Sequence, residues 1–274
     1  MTETTLIQTI EAAWEDKALL SKDAVRAAIR SVIGALDSGS LRVAEPSTVG
    51  WQVNEWVKKA VVLYFLIQEM KLMEAGPCQF YDKIPLKQNF KELGVRVVPP
   101  AVARYGACLR PGVILMASYI NIGAYIGENT MVDIGAAVGS CAQLGKRIHV
   151  SAGTVIGGVL EPIQTKPVII EDNVFIGAKC SVVEGVTIRQ EAVLGANVTL
   201  TASTKILDVT QAGQPKEYRG YVPERAIVVP GSYPKQFPAG QYQVPCALVI
   251  GKRTQRTDSK VSLNEALRDY GVCV

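Results

Sequence analysis

Residues 118 to 156 read SYINIGAYIGENTMVDIGAAVGSCAQLGKRIHVSAGTVI, and from Ile120 every sixth residue of this stretch is apolar. Extended outward, the ladder begins at Cys108, stops after Ile156 and resumes from Ile170 to Ile206. Glycine often follows a ladder residue, and small or β-branched residues recur four positions after it. The ladder residues between these ends are Ile114, Ile120, Ile126, Val132, Val138, Leu144, Val150, Ile176, Val182, Ile188, Leu194 and Leu200.

A period of six fits neither the 3.6-residue turn of a helix nor the alternating faces of a lone strand. It fits a short strand and a tight turn repeated around a triangular prism, with three hexapeptides in each coil and successive coils about 4.8 Å apart. The alternative, chance periodicity in a Val- and Ile-rich α/β protein, would have to persist through two long stretches. The sequence therefore predicts a mainly β fold built on a parallel β-helix.

The ladder is interrupted between Ile156 and Ile170, where the step is two repeats plus two residues. The segment GGVLEPIQTKP, near residues 157–167, is therefore predicted to leave the coil as a loop. Such a loop commonly overhangs a groove between adjacent prisms, which would make Glu161 part of the wall of a site. The alternative is an ordinary loop carboxylate.

The flanks of the coil are suited to capping its open ends, since solenoid ends expose strand edges. Helical periodicity predicts helices over residues 5–20, 23–37 and 54–73, with Ser21 as the N-cap of the second helix and Gly39 as its stop.

Beyond the coil, residues 226–230 and 242–250 are predicted to be strands that pair outside the prism, and a short helix is predicted over 262–268. The resulting domains are an N-terminal helical domain (1–95), the β-helix (96–210), and C-terminal strands with a short helix (211–274).

Composition narrows the possible function classes. The chain has 274 residues, of which 48% are apolar and 7% aromatic, and its net charge is +4. This predicts a globular protein with an aliphatic core, no nucleic-acid partner, and a modest positive field that favours a small anionic ligand. The longest apolar run, residues 60–67, is far too short to span a bilayer. The acidic N-terminus lacks the plan of a signal peptide, so we expect a cytoplasmic protein.

Six cysteines without a CxxC pair and a single histidine, His149, provide no zinc-site spacing, so no metal is expected. The six cysteines are interpreted as small buried hydrophobes rather than as reactive groups. His149 has no partner in its local sequence KRIHVS and is interpreted as structural rather than as a general base.

Candidate site residues are polar side chains at positions where the pattern predicts glycine or an aliphatic residue. Asp133 directly follows the ladder residue Val132, and its alternative is a solvated turn carboxylate. Arg96, just before the coil, has the planar fork that matches a carboxylate. Lys252 and Arg253 form a basic cluster able to meet phosphate groups, although a solvated face is the commoner outcome.

With these residues in view, the chain resembles the tetrahydrodipicolinate N-succinyltransferases of bacterial lysine biosynthesis nearly from end to end. The resemblance rests on these segments: DSGSLRVAE at 37–45, WVKKAV at 56–61, VRVVPPAVARYGA at 95–107, MVD at 131–133, VGSCAQLG at 138–145, GGVLEP at 157–162 and IIEDNVFIGA at 169–178. It implies a left-handed β-helix and a homotrimer whose sites lie between neighbouring prisms.

The resemblance also implies the chemistry. Succinyl would pass from succinyl-CoA, a co-substrate rather than a bound cofactor, to the nitrogen of a small dicarboxylate. Arg96 would bind a substrate carboxylate and Asp133 would be the essential aspartate. Direct attack on the thioester needs no covalent intermediate, so Cys141 need not be a nucleophile. The CoA-binding residues that the resemblance implies are Gly195, Ala196 and Lys205, and the basic cluster adds Lys252 and Arg253 as candidates.

One departure from the family pattern lies in AKCSVVEG, where Ser181 stands in place of a glutamate implicated in the site. A hydroxyl does not replace a carboxylate base at neutral pH. The glutamate is then dispensable, or Glu161 or Glu184 substitutes for it, or the activity has changed.

Two alternatives stay open: an acyltransferase with another donor or acceptor, and a noncatalytic trimeric β-helix. Retention of Arg96 and Asp133 argues against the second.

Overall fold

The computed structural model describes residues 2–48, 50–76 and 78–253, so the helix predicted over 262–268 lies outside the described residues. The N-terminal part comprises α1 (Glu3–Glu15), a short 3-10 helix (Lys17–Ser21), α2 (Asp23–Ser38), β1 (Ala44–Ser47), β2 (Gly50–Val53), α3 (Glu55–Ile67), β3 (Lys71–Ala75) and β4 (Cys78–Asp82). None of the helices in the described ranges is long and apolar enough to cross a membrane.

Three details of the predicted helices are wrong. The first helix, predicted over 5–20, ends at Glu15, because Asp16 is extended and leads into the separate 3-10 helix. The third helix ends at Ile67, because Gln68 is extended and leads into the antiparallel β3–β4 hairpin. Ser21 does not cap α2; its hydroxyl donates to the carbonyl of Ala18, and Lys22 occupies the N-cap position. Gly39 ends α2 as predicted, in the left-handed conformation that glycine adopts without strain.

The coil has three faces. Face 1 consists of β5 (Arg96–Val98), β8 (Ile114–Met116), β11 (Met131–Val132), β14 (His149–Val150), β17 (Phe175–Ile176), β20 (Val193–Leu194) and the start of β25 (Ala226–Phe237). Face 2 consists of β6 (Val102–Ala103), β9 (Tyr119–Ile120), β12 (Ala137–Val138), β15 (Val155–Ile156), β18 (Ser181–Val182) and β21 (Thr199–Leu200). Face 3 consists of β7 (Cys108–Leu109), β10 (Tyr125–Ile126), β13 (Gln143–Leu144), β16 (Ile169–Ile170), β19 (Thr187–Ile188) and β24 (Tyr221–Val222).

The pairing within these faces confirms the predicted parallel β-helix. Strands of one face pair in parallel with those of the next coil, and the usual step between partners is 18 residues, as from Tyr125 to Gln143. Ladder residues from Ile120 to Ile206 are at most 1% exposed, so they fill the prism. The small residues four positions after a ladder residue, such as Ala124 and Thr130, are buried beside them.

The first two rungs of the predicted ladder are wrong by one residue. Leu109 and Leu115 pair with Ile126 and Val132 and point into the core, whereas Cys108 and Ile114 face the other side of their strands. The cause is a repeat of five residues from Leu115 to Ile120. Counting back by six from Ile120 therefore lands one position early.

The predicted loop is confirmed. Gln143 pairs with Ile169, a step of 26 residues, so the segment between β15 and β16 contains eight more residues than a regular coil needs (26 less 18). It leaves the coil at the corner between faces 2 and 3. There the ammonium of Lys58, in α3, donates hydrogen bonds to three of its carbonyls, those of Pro162, Ile163 and Thr165.

Above the coil the chain forms β22 (Ile206–Asp208), β23 (Lys216–Tyr218) and a long antiparallel hairpin of β25 with β26 (Gly240–Lys252). The prediction that residues 226–230 pair outside the prism is wrong. Ile227 and Val228 continue face 1 by pairing in parallel with Val193 and Leu194, and Val228 lies in the core. The hairpin leaves the coil only beyond these residues.

The N-terminal part covers face 3 of its own chain. The guanidinium of Arg42 stacks over the Tyr125 ring at 3.7 Å and donates to Gln143 through Nε at 3.0 Å. On the β1–β2 hairpin, Trp51 donates through Nε1 to Glu171 at 3.0 Å. Within residues 2–48, 50–76 and 78–253, no such layer covers the middle coils of faces 1 and 2, so the corner between these faces is the open side of the described structure.

Candidate active site

Asp133 lies at this open corner, in the turn that leads from face 1 to face 2. Residues in the same position on successive coils form a column, which we call the Asp133 column: Asp133, Ser151, Gly177 and Gly195. Each of the lower three donates its backbone N–H to the coil above, at 2.8 to 3.0 Å. With about 4.8 Å per coil, Asp133 and Gly195 are about 14 Å apart along the prism.

The carboxylate of Asp133 is half-buried. Its Oδ1 accepts the backbone N–H of Ile134 at 2.7 Å, and Oδ2 forms no hydrogen bond with any residue that the structure describes. The next side chain, Ile134, is 60% exposed. Asp133 therefore presents one carboxylate oxygen at an open, partly apolar surface.

His149 lies beside Asp133, on the outer side of face 1. Its ring stacks on Phe175 with centroids 5.1 Å apart and an interplanar angle of 9°. Burial lowers the pKa of His149, and the negative charge of Asp133 acts in the opposite direction. The sequence contained no local sign of this neighbour, because the two residues meet only through the stacking of β11 on β14.

Arg96 and Ser181 lie on the two faces that meet at this corner. Arg96 is exposed on face 1, two coils below Met131 and hence about 10 Å below the coil of Asp133. Ser181 points outward on face 2, two coils above Asp133, between Val155 and Thr199. Within one chain these side chains surround the corner without touching Asp133.

Glu161 lies elsewhere. The loop that carries it packs against the N-terminal helices, where it lines a cavity of about 400 Å³ with Trp14, Glu55 and Lys59. This is the corner between faces 2 and 3. A single chain therefore does not bring Glu161 to the Asp133 column.

The predicted CoA-binding residues divide into two groups. Gly195 and Ala196 lie at the top of the Asp133 column. Lys205 is ion-paired with Glu217 at 3.3 Å and lies over the Tyr233 ring at 4.6 Å. Lys205 also lines a cavity of about 560 Å³ together with Arg219 and Lys235. The sequence analysis did not identify these two cations, because they lie 14 and 30 residues after Lys205 in the chain.

Lys252 and Arg253 lie apart from this cavity. Ala247 pairs with Ile206, next to Lys205, and Lys252 is five residues farther along β26, or about 17 Å. The guanidinium of Arg253 donates to the carbonyl of Asn173 at 3.1 Å, in the turn between faces 3 and 1. The structure therefore separates these two cations from the other candidate residues.

Cys141 is fully buried, and burial raises the pKa of its thiol to about 12. At neutral pH the sulfur is protonated and shielded, whereas a nucleophilic cysteine needs an accessible thiolate. The geometry agrees with direct attack on the donor.

Comparison with known proteins places this geometry in a family. A sequence model described as "Tetrahydrodipicolinate N-succinyltransferase N-terminal" matches residues 5–67, and one described as "Hexapeptide repeat of succinyl-transferase" matches residues 167–202. A Polynucleobacter asymbioticus protein named 2,3,4,5-tetrahydropyridine-2,6-dicarboxylate N-succinyltransferase is 50% identical over 272 residues, 95% of this chain and 97% of that protein. The chain belongs to the tetrahydrodipicolinate N-succinyltransferase family. Proteins of the same name from Paramagnetospirillum magneticum and Acinetobacter baylyi are 48% and 47% identical, over 96% and 94% of this chain and 98% and 97% of theirs.

Membership of the tetrahydrodipicolinate N-succinyltransferase family agrees with the hexapeptide coil and with the helical N-terminal part. It is consistent with the left-handed turn that the resemblance implied. The three relatives match 94–96% of this chain, so Asp133, Arg96 and Ser181, which lie in its interior, belong to the matched region rather than to an added segment.

Proposed function

We propose that this chain is a CoA-dependent acyltransferase that moves succinyl from succinyl-CoA to the amine of tetrahydrodipicolinate, giving N-succinyl-2-amino-6-oxopimelate and CoA for lysine and diaminopimelate synthesis. The observation that carries the proposal is Asp133, half-buried with one oxygen unoccupied by the described residues, at the foot of a column that contains Gly177 and Gly195. Relatives with the corresponding name, nearly half identical over almost the whole chain, support it.

We propose that three copies assemble with faces 1 and 2 toward their neighbours. Face 3 is already covered by the N-terminal part of the same chain, whereas Ile134 and Val155 are 60% and 44% exposed near the open corner. A cleft between two copies would let Arg96, Ser181 or Glu161 of one chain approach Asp133 of another. This would explain why one chain keeps these residues apart.

In this site, water opens the cyclic imine and Asp133 orients the resulting amine by accepting one of its N–H hydrogens. The amine nitrogen attacks the thioester carbonyl, the C–S bond breaks, and the proton lost by the amine passes by way of the carboxylate to the departing sulfur, so that CoA leaves as the thiol. A carboxylate that accepts this proton is suited to general-base catalysis, and holding both reactants together accounts for much of the acceleration. Burial lowers the pKa of the neighbouring His149, which favours the neutral imidazole beside the carboxylate.

The upper part of the Asp133 column offers a flat path for the pantetheine arm, because no side chain projects from Gly177 or Gly195. Lys205, Arg219 and Lys235 would bind the phosphates of CoA at the upper end of the coil. Among the predicted set, Lys252 and Arg253 are the less favoured phosphate ligands, because the structure separates them from this cavity. We further propose a cytoplasmic enzyme that needs no bound cofactor.

A second candidate function is the same transfer with a different acyl donor or acceptor. Ser181 favours it, because a hydroxyl lies on face 2 where the family pattern has a carboxylate. Release of CoA thiol from succinyl-CoA and from acetyl-CoA, each with and without tetrahydrodipicolinate, separates the two. Release that needs the dicarboxylate and prefers succinyl-CoA supports the first function. Release that prefers acetyl-CoA supports a different donor, and a lack of release with either donor in the presence of the dicarboxylate supports a different acceptor.

The role of Asp133 is tested by Asp133→Asn, with Asp23→Asn in the exposed first turn of α2 as the matched control. We expect kcat to fall at least a hundredfold in the first variant and to stay within twofold in the control, since general acid–base catalysis contributes about 10²–10⁴. Size-exclusion chromatography should show the same assembly for both. Near-normal turnover of Asp133→Asn would refute the assignment.

A further inference from the structure

Another polar cavity lies on face 3, on the side of the coil opposite to the Asp133 corner. It has a volume of about 710 Å³ and lies between the β1–β2 hairpin and the upper coils. Its lining includes Trp51, Lys166, Thr187, Arg189 and Tyr221. The proposed transfer uses none of these residues.

Two cations on this lining carry charge without an ion-pair partner in residues 2–48, 50–76 and 78–253. Lys166, at the end of the loop, donates to the hydroxyl of Thr187 at 2.8 Å. Arg189 lies over the ring of Tyr221, 5.0 Å from its centroid. Burial, followed by the positive charge of Arg189, lowers the pKa of Lys166, and Glu171 acts weakly in the opposite direction. Two like charges therefore lie close together in a partly desolvated cavity.

The remaining charged groups of the cavity have other hydrogen-bond or ion-pair partners. The carboxylate of Glu171 accepts from Trp51 Nε1 and from the backbone N–H of Gln190, each at 3.0 Å. Glu224 accepts from the Gln190 amide at 2.9 Å. Arg219, at the margin, is paired with Glu217 at 2.6 Å. None of these groups forms an ion pair with Lys166 or Arg189 in the described structure.

We propose that this cavity binds the phosphate group of a small molecule. Repulsion between the two cations would be relieved by an anion between them, and a phosphate offers acceptor oxygens for the Arg189 fork, the Lys166 ammonium and the Thr187 hydroxyl. The rings of Trp51 and Tyr221 provide apolar walls for the group attached to the phosphate. The phosphate belongs either to CoA or to a separate phosphorylated compound.

The test is calorimetric titration of the full-length protein with pyrophosphate, for the wild type, Arg189→Gln and Lys71→Gln. Lys71 is exposed on β3, at the base of the molecule, and its variant changes net charge by the same amount. We expect Arg189→Gln to weaken binding at least tenfold and Lys71→Gln to leave it within twofold. Lys166→Gln should reproduce the loss. Circular dichroism and thermal unfolding verify that each variant is folded.

A repeat with CoA as the ligand identifies the source of the phosphate. Weaker binding of both CoA and pyrophosphate to Arg189→Gln assigns the cavity to the donor, whereas loss of pyrophosphate binding alone assigns it to a separate compound. Equal affinities for wild type and Arg189→Gln, or equal losses in Arg189→Gln and Lys71→Gln, would overturn the proposal. Because binding is measured directly, this result does not depend on whether the protein transfers succinyl.

Discussion

Two adjacent lysines of α3 differ sharply in their surroundings. This difference allows a controlled test of which contacts stabilise the loop between β15 and β16, residues 157–168. Lys58 is fully buried, and its ammonium donates to the carbonyls of Pro162, Ile163 and Thr165 at 3.3, 2.8 and 2.8 Å. Lys59 is partly exposed and forms one ion pair, with Glu11. Replacing each by methionine retains most of the side-chain volume and removes the charge.

The expected magnitude follows from the groups left behind. A buried carbonyl that loses its donor costs about 1–3 kcal/mol. Three carbonyls lose their shared donor in Lys58→Met. Part of this cost is recovered, because the freed loop turns some carbonyls to water and because burying methionine requires no ammonium desolvation. We therefore expect the free energy of unfolding to fall by about 2–4 kcal/mol. For Lys59→Met we expect a fall of about 0–1 kcal/mol, the usual contribution of an exposed pair.

Urea unfolding measures the free energy, and hydrogen exchange followed by mass spectrometry reports on the loop. Amides such as those of Val159 and Thr165, which donate to Ser140 and Pro162, should exchange at least tenfold faster in Lys58→Met than in Lys59→Met. The reasoning would be refuted by equal destabilisation of the two variants, or by unchanged loop exchange in Lys58→Met. Either result would mean that the loop does not depend on the buried ammonium.

Three further outcomes follow from the coil. Ser181→Glu should change kcat for succinyl transfer by less than threefold, because Asp133 already supplies the carboxylate; a tenfold rise in the steady-state assay would show that a second acid assists. Leu144→Ala should lower the free energy of unfolding in urea by about 2–5 kcal/mol by opening a cavity in the prism, whereas Leu72→Ala, at a side chain that is 59% exposed on β3, should cost under about 0.5 kcal/mol. Cys141, with its pKa raised to about 12, should resist iodoacetamide at pH 8 while exposed Cys78 reacts, as peptide mass spectrometry would show. Because the folded state holds the thiol proton more tightly than the unfolded chain does, the contribution of this thiol to the free energy of unfolding is fully present below pH 9. That contribution is lost as the pH rises from 9 toward 12. Rapid native-state modification of Cys141 would contradict its burial.

Much of the candidate site could be predicted before the fold was known. Asp133 and Arg96 were identified as polar residues in or beside an apolar repeat, and the structure places both on the open side of the coil. The assignments of Lys252 and Arg253 rested on composition alone, and the structure places them away from Lys205. A basic cluster in sequence does not specify a direction in space, because the course of the β25–β26 hairpin decides where its end lies.

The sequence by itself determined the coil, because a six-residue period depends only on which side chains within one turn avoid water. It also predicted the loop, since a break in that period must be accommodated somewhere. Only the tertiary structure decided the register slip at Leu115, the proximity of His149 to Asp133, and the proximity of Lys166 to Arg189. These features join residues on different coils or elements, so they depend on the length of each turn and excursion and on how the N-terminal part packs over face 3. A local pattern of apolar residues does not determine how far apart such residues lie in the folded chain.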